Sequence, residues 1–169
     1  MLLTTMIIRT LLCRPKEIDA GEYKAREFDK DLIARHLSEA VQIPTVSMVG
    51  EFEGVDQPFY DYHAWLEKTY PLVHKTAQKT VINNYSLVYR FKGKDSSLLP
   101  GAFLAHQDVV PAPKEGWNYE PFGGTIDDGF IWGRGTQDMK GTMISLLEAT
   151  EKLLSEGWQP QRDVYFCFG

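Results

Sequence analysis

The stretch GAFLAHQDVVP, Gly101–Pro111, decides the fold because it contains a strand that stops at polar residues. Its apolar run Ala102–Ala105 predicts a buried strand. Side chains of a strand alternate between the two faces of a sheet, so His106 and Asp108 are expected to point the same way, with Gln107 opposite. The pair has two interpretations: a structural histidine, which is favoured when the pair is taken alone, or a metal ligand oriented by its neighbour.

The composition is that of a soluble globular protein. The 169 residues correspond to about one domain, and 43% of them are hydrophobic, 12% aromatic and 24% charged. The net charge of −5 and the lack of a basic block argue against nucleic acid as a partner. Cys13 and Cys167 lie far apart, which predicts neither a disulfide framework nor a thiolate metal site.

The N-terminal segment MLLTTMIIRTLLC is apolar, but Arg9 interrupts it before the length that a bilayer requires. It also lacks the features of a secretory signal. We predict an apolar arm and polar linker over residues 1–30, a domain over residues 31–169, and no membrane-spanning helix. A cytoplasmic location is favoured, with a membrane anchor at the N-terminus as the alternative.

Helices and strands alternate along the chain. DLIARHLSEAVQI, Asp31–Ile43, places apolar residues on one helical stripe that Pro44 stops, and a second amphipathic helix is expected to end near Pro71. TVINNYSLVYRFKGK, residues 80–94, predicts a strand pair or one long strand. His74 is expected to lead into it.

The second half of the chain adds a hairpin, a helix and a strand. Asp128–Gly129 between apolar segments predicts the hairpin turn, and Gly157 is expected to end the helix that follows. RDVYFCFG, residues 162–169, predicts a buried strand. We therefore predict an α/β fold with three layers, in which helices cover both faces of a sheet.

A second polar group lies in GRGTQDMKG, Gly133–Gly141. Its spacing places Asp138 where a dinucleotide-binding loop requires glycine, which argues against a phosphate cradle. Taken alone, Asp138 is better interpreted as a helix N-cap than as a cation ligand. Because His106 and Asp138 follow successive strands, however, both ligands together favour a catalytic zinc site, with two ions bridged by a carboxylate as a variant.

The sequence also resembles a known family. LAHQDVVP, GWNYEPFGGTIDDGFIWGRGTQDMKG and YFCFG are similar to segments of the dizinc metallopeptidases that include carboxypeptidase S, aminoacylase and glutamate carboxypeptidase. The carboxypeptidase S branch is the most similar. The resemblance covers roughly residues 31–169, as the N-terminal part of a zinc-exopeptidase-like catalytic domain.

The resemblance implies roles for three residues. His106 binds one zinc ion, Asp138 bridges two ions, and Asp108 orients His106. Cobalt or manganese are alternative metals. The Asp138–Met139 peptide bond is expected to be cis.

The resemblance further implies a hydrolase of peptide or N-acyl-amino-acid bonds. In the family, a general-base glutamate, further metal ligands and a dimerisation domain follow the strand that ends here at Gly169. We therefore expect this chain to be inactive alone, and to form a homodimer only with the missing domain. The alternatives are a non-catalytic truncated fragment or interaction domain, and a flavodoxin-like binding domain.

Overall fold

The computed structural model describes residues 2–13, 25–47 and 56–169. The helices are α1 (Leu2–Leu12), α2 (Lys30–Gln42), α3 (Asp56–Thr69), α4 (Pro71–Thr76) and α5 (Gly141–Ser155). The strands are β1 (Gln78–Ile82), β2 (Ser86–Phe91), β3 (Gly101–Ala105), β4 (Thr125–Asp127), β5 (Phe130–Trp132) and β6 (Val164–Phe168).

Four strands form one mixed sheet in the order β1–β2–β6–β3, and β4 pairs with β5 in a separate hairpin. The β1–β2 and β2–β6 pairs are antiparallel, whereas β3 runs parallel to β6. Ala105 at the end of β3 lies opposite Phe168 at the end of β6. His106 and Gly169 therefore leave the sheet at the same edge.

One face of the sheet packs against helices and holds the core. Alternate residues of β2 and β6 are buried there, as the period of a strand requires. The main members of this core are Leu87, Tyr89, Phe91, Phe166 and Phe168 from the sheet, with Tyr62, Leu66, Val73, Met143 and Leu147 from the helices. Full burial of one such aliphatic or phenylalanine side chain contributes about 1.5–3 kcal/mol, so this face stabilises the domain.

The opposite face of the sheet is open to solvent at several apolar positions. Leu104 is 73% exposed, and Ile82 also lies largely in solvent. The predicted α/β class is confirmed. The core residues show that helices α2–α5 pack on the buried face of the sheet.

The predicted helices and turns are largely confirmed. α2 begins after Asp29, whose carboxylate accepts a hydrogen bond from the Leu32 amide at 3.0 Å, and it ends before Pro44. Residues 80–94 form a strand pair, and the turn between the strands places Asn83 and Asn84 in the left-handed region. Asparagine tolerates that conformation well, which explains the sharp turn.

The expected end of the second helix near Pro71 is confirmed. α3 ends at Thr69, and Pro71 opens the short helix α4, where a missing N–H is tolerated in the first turn. His74 therefore lies in α4 and does not lead directly into the strand. The turn at Asp128–Gly129 and the helix end near Gly157 are confirmed.

The N-terminal helix α1 buries none of its residues. None of the described helices is long and apolar enough to cross a membrane. Cys13 and Cys167 are free thiols. Residues 14–24 of the predicted linker lie outside the described residues, so the boundary between linker and domain stays a prediction.

Candidate metal centre

His106 follows β3 directly, and the parallel ladder with β6 continues past it. The Gly169 amide donates to the Ala105 carbonyl at 3.0 Å, and the Gln107 amide donates to the Gly169 carbonyl at 2.9 Å. These backbone hydrogen bonds hold the His106 backbone on both sides. The histidine therefore stands on the rigid edge of the sheet, where open α/β folds place their binding sites.

The side chains of His106, Gln107 and Asp108 alternate as the sequence predicts. Gln107 is completely buried, whereas the side chains of His106 and Asp108 are each 39% exposed. Nδ1 of His106 lies 3.0 Å from Asp108 Oδ1 and 3.0 Å from the Asp108 carbonyl oxygen. A proton on Nδ1 would satisfy these acceptors and leave Nε2 to face outward.

Nε2 of His106 faces Asp138. The Asp138 Oδ1 atom lies 2.9 Å from it, and the Asp138 side chain is 88% exposed. Burial alone would lower the pKa of His106, but its hydrogen bonds with the Asp108 carbonyl and the Asp138 carboxylate outweigh burial and raise that pKa. The structure thus brings together all three residues that the sequence singled out.

Asp138 lies in a turn before α5. It does not cap that helix, because Lys140 occupies the N-cap position and Asp138 has the non-helical angles φ −119° and ψ 96°. The N-cap interpretation is therefore wrong. The Asp138–Met139 peptide bond is cis, as the resemblance predicts.

Gly135 allows this turn to approach the His106 segment. Its φ of +87° lies in the left-handed region, and a Cβ atom there would lie 2.5 Å from Cγ1 of Val109. A side chain at this position would therefore push the Asp138 turn away from the residues that follow His106.

Lys140 anchors the turn from behind, a role that the sequence analysis missed. It is completely buried, and its Nζ atom donates to the carbonyls of Ala40 at 2.8 Å and Ile43 at 2.6 Å. The ammonium group also lies 4.6 Å from the centre of the Tyr62 ring. Burial lowers the pKa of Lys140 to about 7. In the sequence, this role is indicated only by the position of Lys140, two residues after the predicted ligand Asp138 and at the start of an apolar helix.

Gln107 is the second buried polar residue that the sequence analysis left without a role. Its Nε2 atom donates to the Tyr85 carbonyl at 2.6 Å, and its Oε1 atom lies 2.9 Å from Nε2 of His63, which donates to it. Burial lowers the pKa of His63 and keeps the imidazole neutral. The side chain of Gln107, which lies between His106 and Asp108 in the chain, is therefore hydrogen-bonded to α3 and to the β1–β2 turn.

The other two histidines contact protein groups elsewhere. His36 pairs with Glu148 at 2.5 Å. His74 lies 2.8 Å from the Tyr70 carbonyl and 2.9 Å from the Tyr89 hydroxyl. These contacts give both histidines structural roles away from the candidate centre.

The donor set at this edge of the sheet is small. Across residues 2–13, 25–47 and 56–169, the structure brings together no group of three His, Cys, Asp or Glu side chains that could hold a metal ion. His106 and Asp138 supply two donors, whereas a tetrahedral zinc ion takes four ligands. The described residues therefore form at most half of such a centre.

Comparisons with known proteins agree with the resemblance. The profile of peptidase family M20/M25/M40 matches residues 102–169. The probable carboxypeptidase S-like 2 of Dictyostelium discoideum is 45% identical over 140 residues, which cover 81% of this chain and 27% of that protein. The N-fatty-acyl-amino acid synthase/hydrolase PM20D1 of Xenopus tropicalis is 38% identical over 145 residues, 85% of this chain and 28% of that protein.

The fold agrees as well. The M20 family metallo-carboxypeptidase Sso-CP2 from Sulfolobus solfataricus superposes with a TM-score of 0.62 and 25% identity over 83% of this chain and 30% of that one. The chain spans about a quarter of the length of the curated relatives it matches. These matches favour a peptidase over a flavodoxin-like binding domain, and they confirm the likeness to carboxypeptidase S. His106, at the end of β3, and Asp138, in the turn before α5, both lie within residues 102–169, the part of the chain that matches peptidase family M20/M25/M40.

Proposed function

We propose that this chain is the metal-binding N-terminal part of a hydrolase that cleaves peptide or N-acyl-amino-acid bonds. One observation carries the proposal: His106 Nε2 and Asp138 Oδ1 converge to 2.9 Å at the sheet edge, with Asp108 against the other ring nitrogen. Imidazole nitrogen and carboxylate oxygen are among the donors of catalytic zinc sites.

Each of the three residues has a distinct part in this proposal. Asp108 accepts a hydrogen bond from the Nδ1–H of His106, which keeps Nε2 unprotonated and directed at the metal position. Asp138 presents its carboxylate at the same point from an exposed turn, which suits a ligand shared by two ions. A bound zinc ion supplies Lewis acidity for polarising a scissile carbonyl.

We also propose that the 169-residue chain does not hydrolyse substrates by itself. Amide hydrolysis of this kind needs a general base within hydrogen-bond reach of the attacking water. Asp108 cannot serve, because its two oxygens contact His106 and Ser47. Asp138 is assigned to the metal, and the described residues bring no third carboxylate to the pair.

The names of similar proteins support a substrate class. One relative is named for N-fatty-acyl-amino acids and another for carboxypeptidase activity. Both classes of substrate contain an amide bond next to an amino-acid carboxylate. We therefore propose an N-acylated amino acid or the C-terminal bond of a peptide as the substrate of the whole protein.

Metal titration tests the proposal. Calorimetry should show zinc binding to the wild-type chain, and both His106→Ala and Asp138→Asn should weaken it at least about tenfold, because each removes one of two donors. Asp31→Asn, an exposed aspartate in the first turn of α2, is the matched control and should bind like wild type. Equal binding by all four proteins would refute the metal centre.

A hydrolysis assay tests the second part. The purified chain should show no chelator-sensitive cleavage of N-acyl amino acids or short peptides in the presence of zinc. Chelator-sensitive turnover that His106→Ala abolishes would show that the chain holds a complete active site.

A further inference from the structure

The segment Ile43–Ser47, between α2 and the residues outside the described part, contacts both sides of the candidate centre. At its middle, the Thr45 hydroxyl donates to the Gln107 carbonyl at 2.5 Å, and the Val109 amide donates to the Thr45 carbonyl at 2.9 Å. Thr45 is completely buried. The segment thus runs alongside the backbone that carries His106 and Asp108.

Ser47 closes this contact with its side chain. Its amide donates to the Val109 carbonyl at 3.0 Å, and its hydroxyl donates to Oδ2 of Asp108. The other Asp108 oxygen, Oδ1, faces Nδ1 of His106 at 3.0 Å. Ser47 therefore holds the carboxylate from the side opposite the histidine and fixes the rotation of its plane.

The other end of the segment reaches the Asp138 turn. The buried Nζ atom of Lys140 donates to the Ile43 carbonyl at 2.6 Å, and Lys140 follows Asp138 by two residues. One short stretch of chain is consequently hydrogen-bonded to the residues around both proposed ligands.

We propose that Ile43–Ser47 is a brace that sets the separation of His106 and Asp138, and that Ser47 is a positioning residue acting on His106 through Asp108. The inference rests on the proposed metal centre. Without the Ser47 hydroxyl, the Asp108 carboxylate can rotate away from Nδ1, and the imidazole loses its fixed orientation. Residues that orient a ligating histidine typically change metal affinity 10–100-fold when they are lost.

Zinc affinity measured by calorimetry on the 169-residue chain tests this role. Ser47→Ala should weaken zinc binding about tenfold, and Ser47→Thr, which keeps the hydroxyl, should restore it to within about twofold of wild type. Ser97→Ala is the matched control, because the Ser97 hydroxyl donates to Asp95 at 2.6 Å in the loop before β3. It should leave the affinity unchanged.

A double-mutant cycle shows whether Ser47 acts through Asp108. In an Asp108→Ala background, Ser47→Ala should cause no further loss of zinc affinity. An undiminished tenfold loss in that background, or a Ser47→Ala chain that binds zinc like Ser97→Ala, would overturn the positioning role while leaving the metal centre intact. A wild-type chain that binds no zinc would overturn the proposed function, and this inference with it.

Amide hydrogen exchange tests the brace without metal. The Ser47 and Val109 amides should exchange slowly in the metal-free chain, because both donate to backbone carbonyls across the brace. Fast exchange at both amides would overturn the brace even if the chain binds zinc.

Discussion

The candidate centre has an exposed part, its mouth, formed by His106 and Asp138, and a buried part behind it, its wall, formed by Gln107 and Lys140; the two parts differ in solvent exposure and in how their polar groups are paired. At the mouth, the side chain of His106 is 39% exposed and that of Asp138 is 88% exposed. Behind them, Gln107 and Lys140 are completely buried and have their polar groups paired with protein partners. We therefore expect the two exposed ligands to contribute little to the stability of this fold and the two buried residues behind them to contribute much.

The largest effect on stability is expected at Lys140. Lys140→Ala removes a buried side chain and leaves the Ala40 and Ile43 carbonyls without their donor, so we expect the free energy of unfolding to fall by about 3–5 kcal/mol. Urea denaturation measures this change. Lys94→Ala, at an exposed lysine, is the control and should cost less than about 0.5 kcal/mol. Similar losses in both variants would contradict the special role of the buried ammonium.

A smaller loss is expected at Gln107. Gln107→Leu keeps roughly the volume of the side chain but removes the buried hydrogen bonds of the Gln107 amide to the Tyr85 carbonyl and to His63, which should cost about 1–3 kcal/mol. The exposed Gln161→Leu serves as the control in the same denaturation experiment. A Gln107→Leu protein as stable as the control would show that the amide network adds nothing to the wall.

The pKa of His106 and the pKa values of His63 and His74 should shift in opposite directions on folding. Burial lowers the pKa of His63 and of His74 in the folded chain. As the pH falls below about 6.5, these two histidines therefore take up protons in the unfolded chain before they do so in the folded chain, and the folded chain loses stability. The pKa of His106 is raised, so its contribution is present below about 6.5 and is lost as pH rises through the folded value.

NMR titration of the metal-free chain measures these three pKa values directly. We expect His63 and His74 below the value of an unfolded histidine and His106 above it. His106→Ala identifies the raised signal. A His106 pKa below those of His63 and His74 would reverse the contrast.

The smallest effect is expected at the most exposed ligand. Asp138→Asn should change the free energy of unfolding of the metal-free chain by less than about 1 kcal/mol, because the pair with His106 lies at the surface. The same variant is the one that should lose zinc affinity. A large loss of stability would show that Asp138 belongs to the wall.

Much of this architecture follows from local sequence signals. The Asp128–Gly129 turn, the stop at Pro44 and the strand ending at Ala105 depend on short-range rules, and the structure confirms them. For residues 80–94 the structure selects the strand pair, with its turn at Asn83–Asn84, over one long strand. The helix end near Pro71 is also confirmed, and Pro71 itself begins the next helix because proline suits the first turn of a helix.

The wall of the site was not predictable in the same way. Ser47, Thr45 and Lys140 acquire their contacts from segments distant in the chain, and nothing near them in the sequence marks these partners. His106, Asp108 and Asp138 could be singled out because open α/β folds place binding sites beyond their strands and because the segments around them resemble a known family. Their supporting contacts depend on tertiary structure alone.

The parallel pairing of β3 with β6 has a consequence for the order in which the protein assembles. β3 has β6 as its neighbour in the sheet, and the two are separated in the chain by the β4–β5 hairpin and the whole of α5. Contacts between distant segments form late, because the intervening loop must close first. We therefore expect the hydrogen bonds on both sides of His106 to form only when β6 pairs with β3, so that zinc binding would follow the assembly of the sheet.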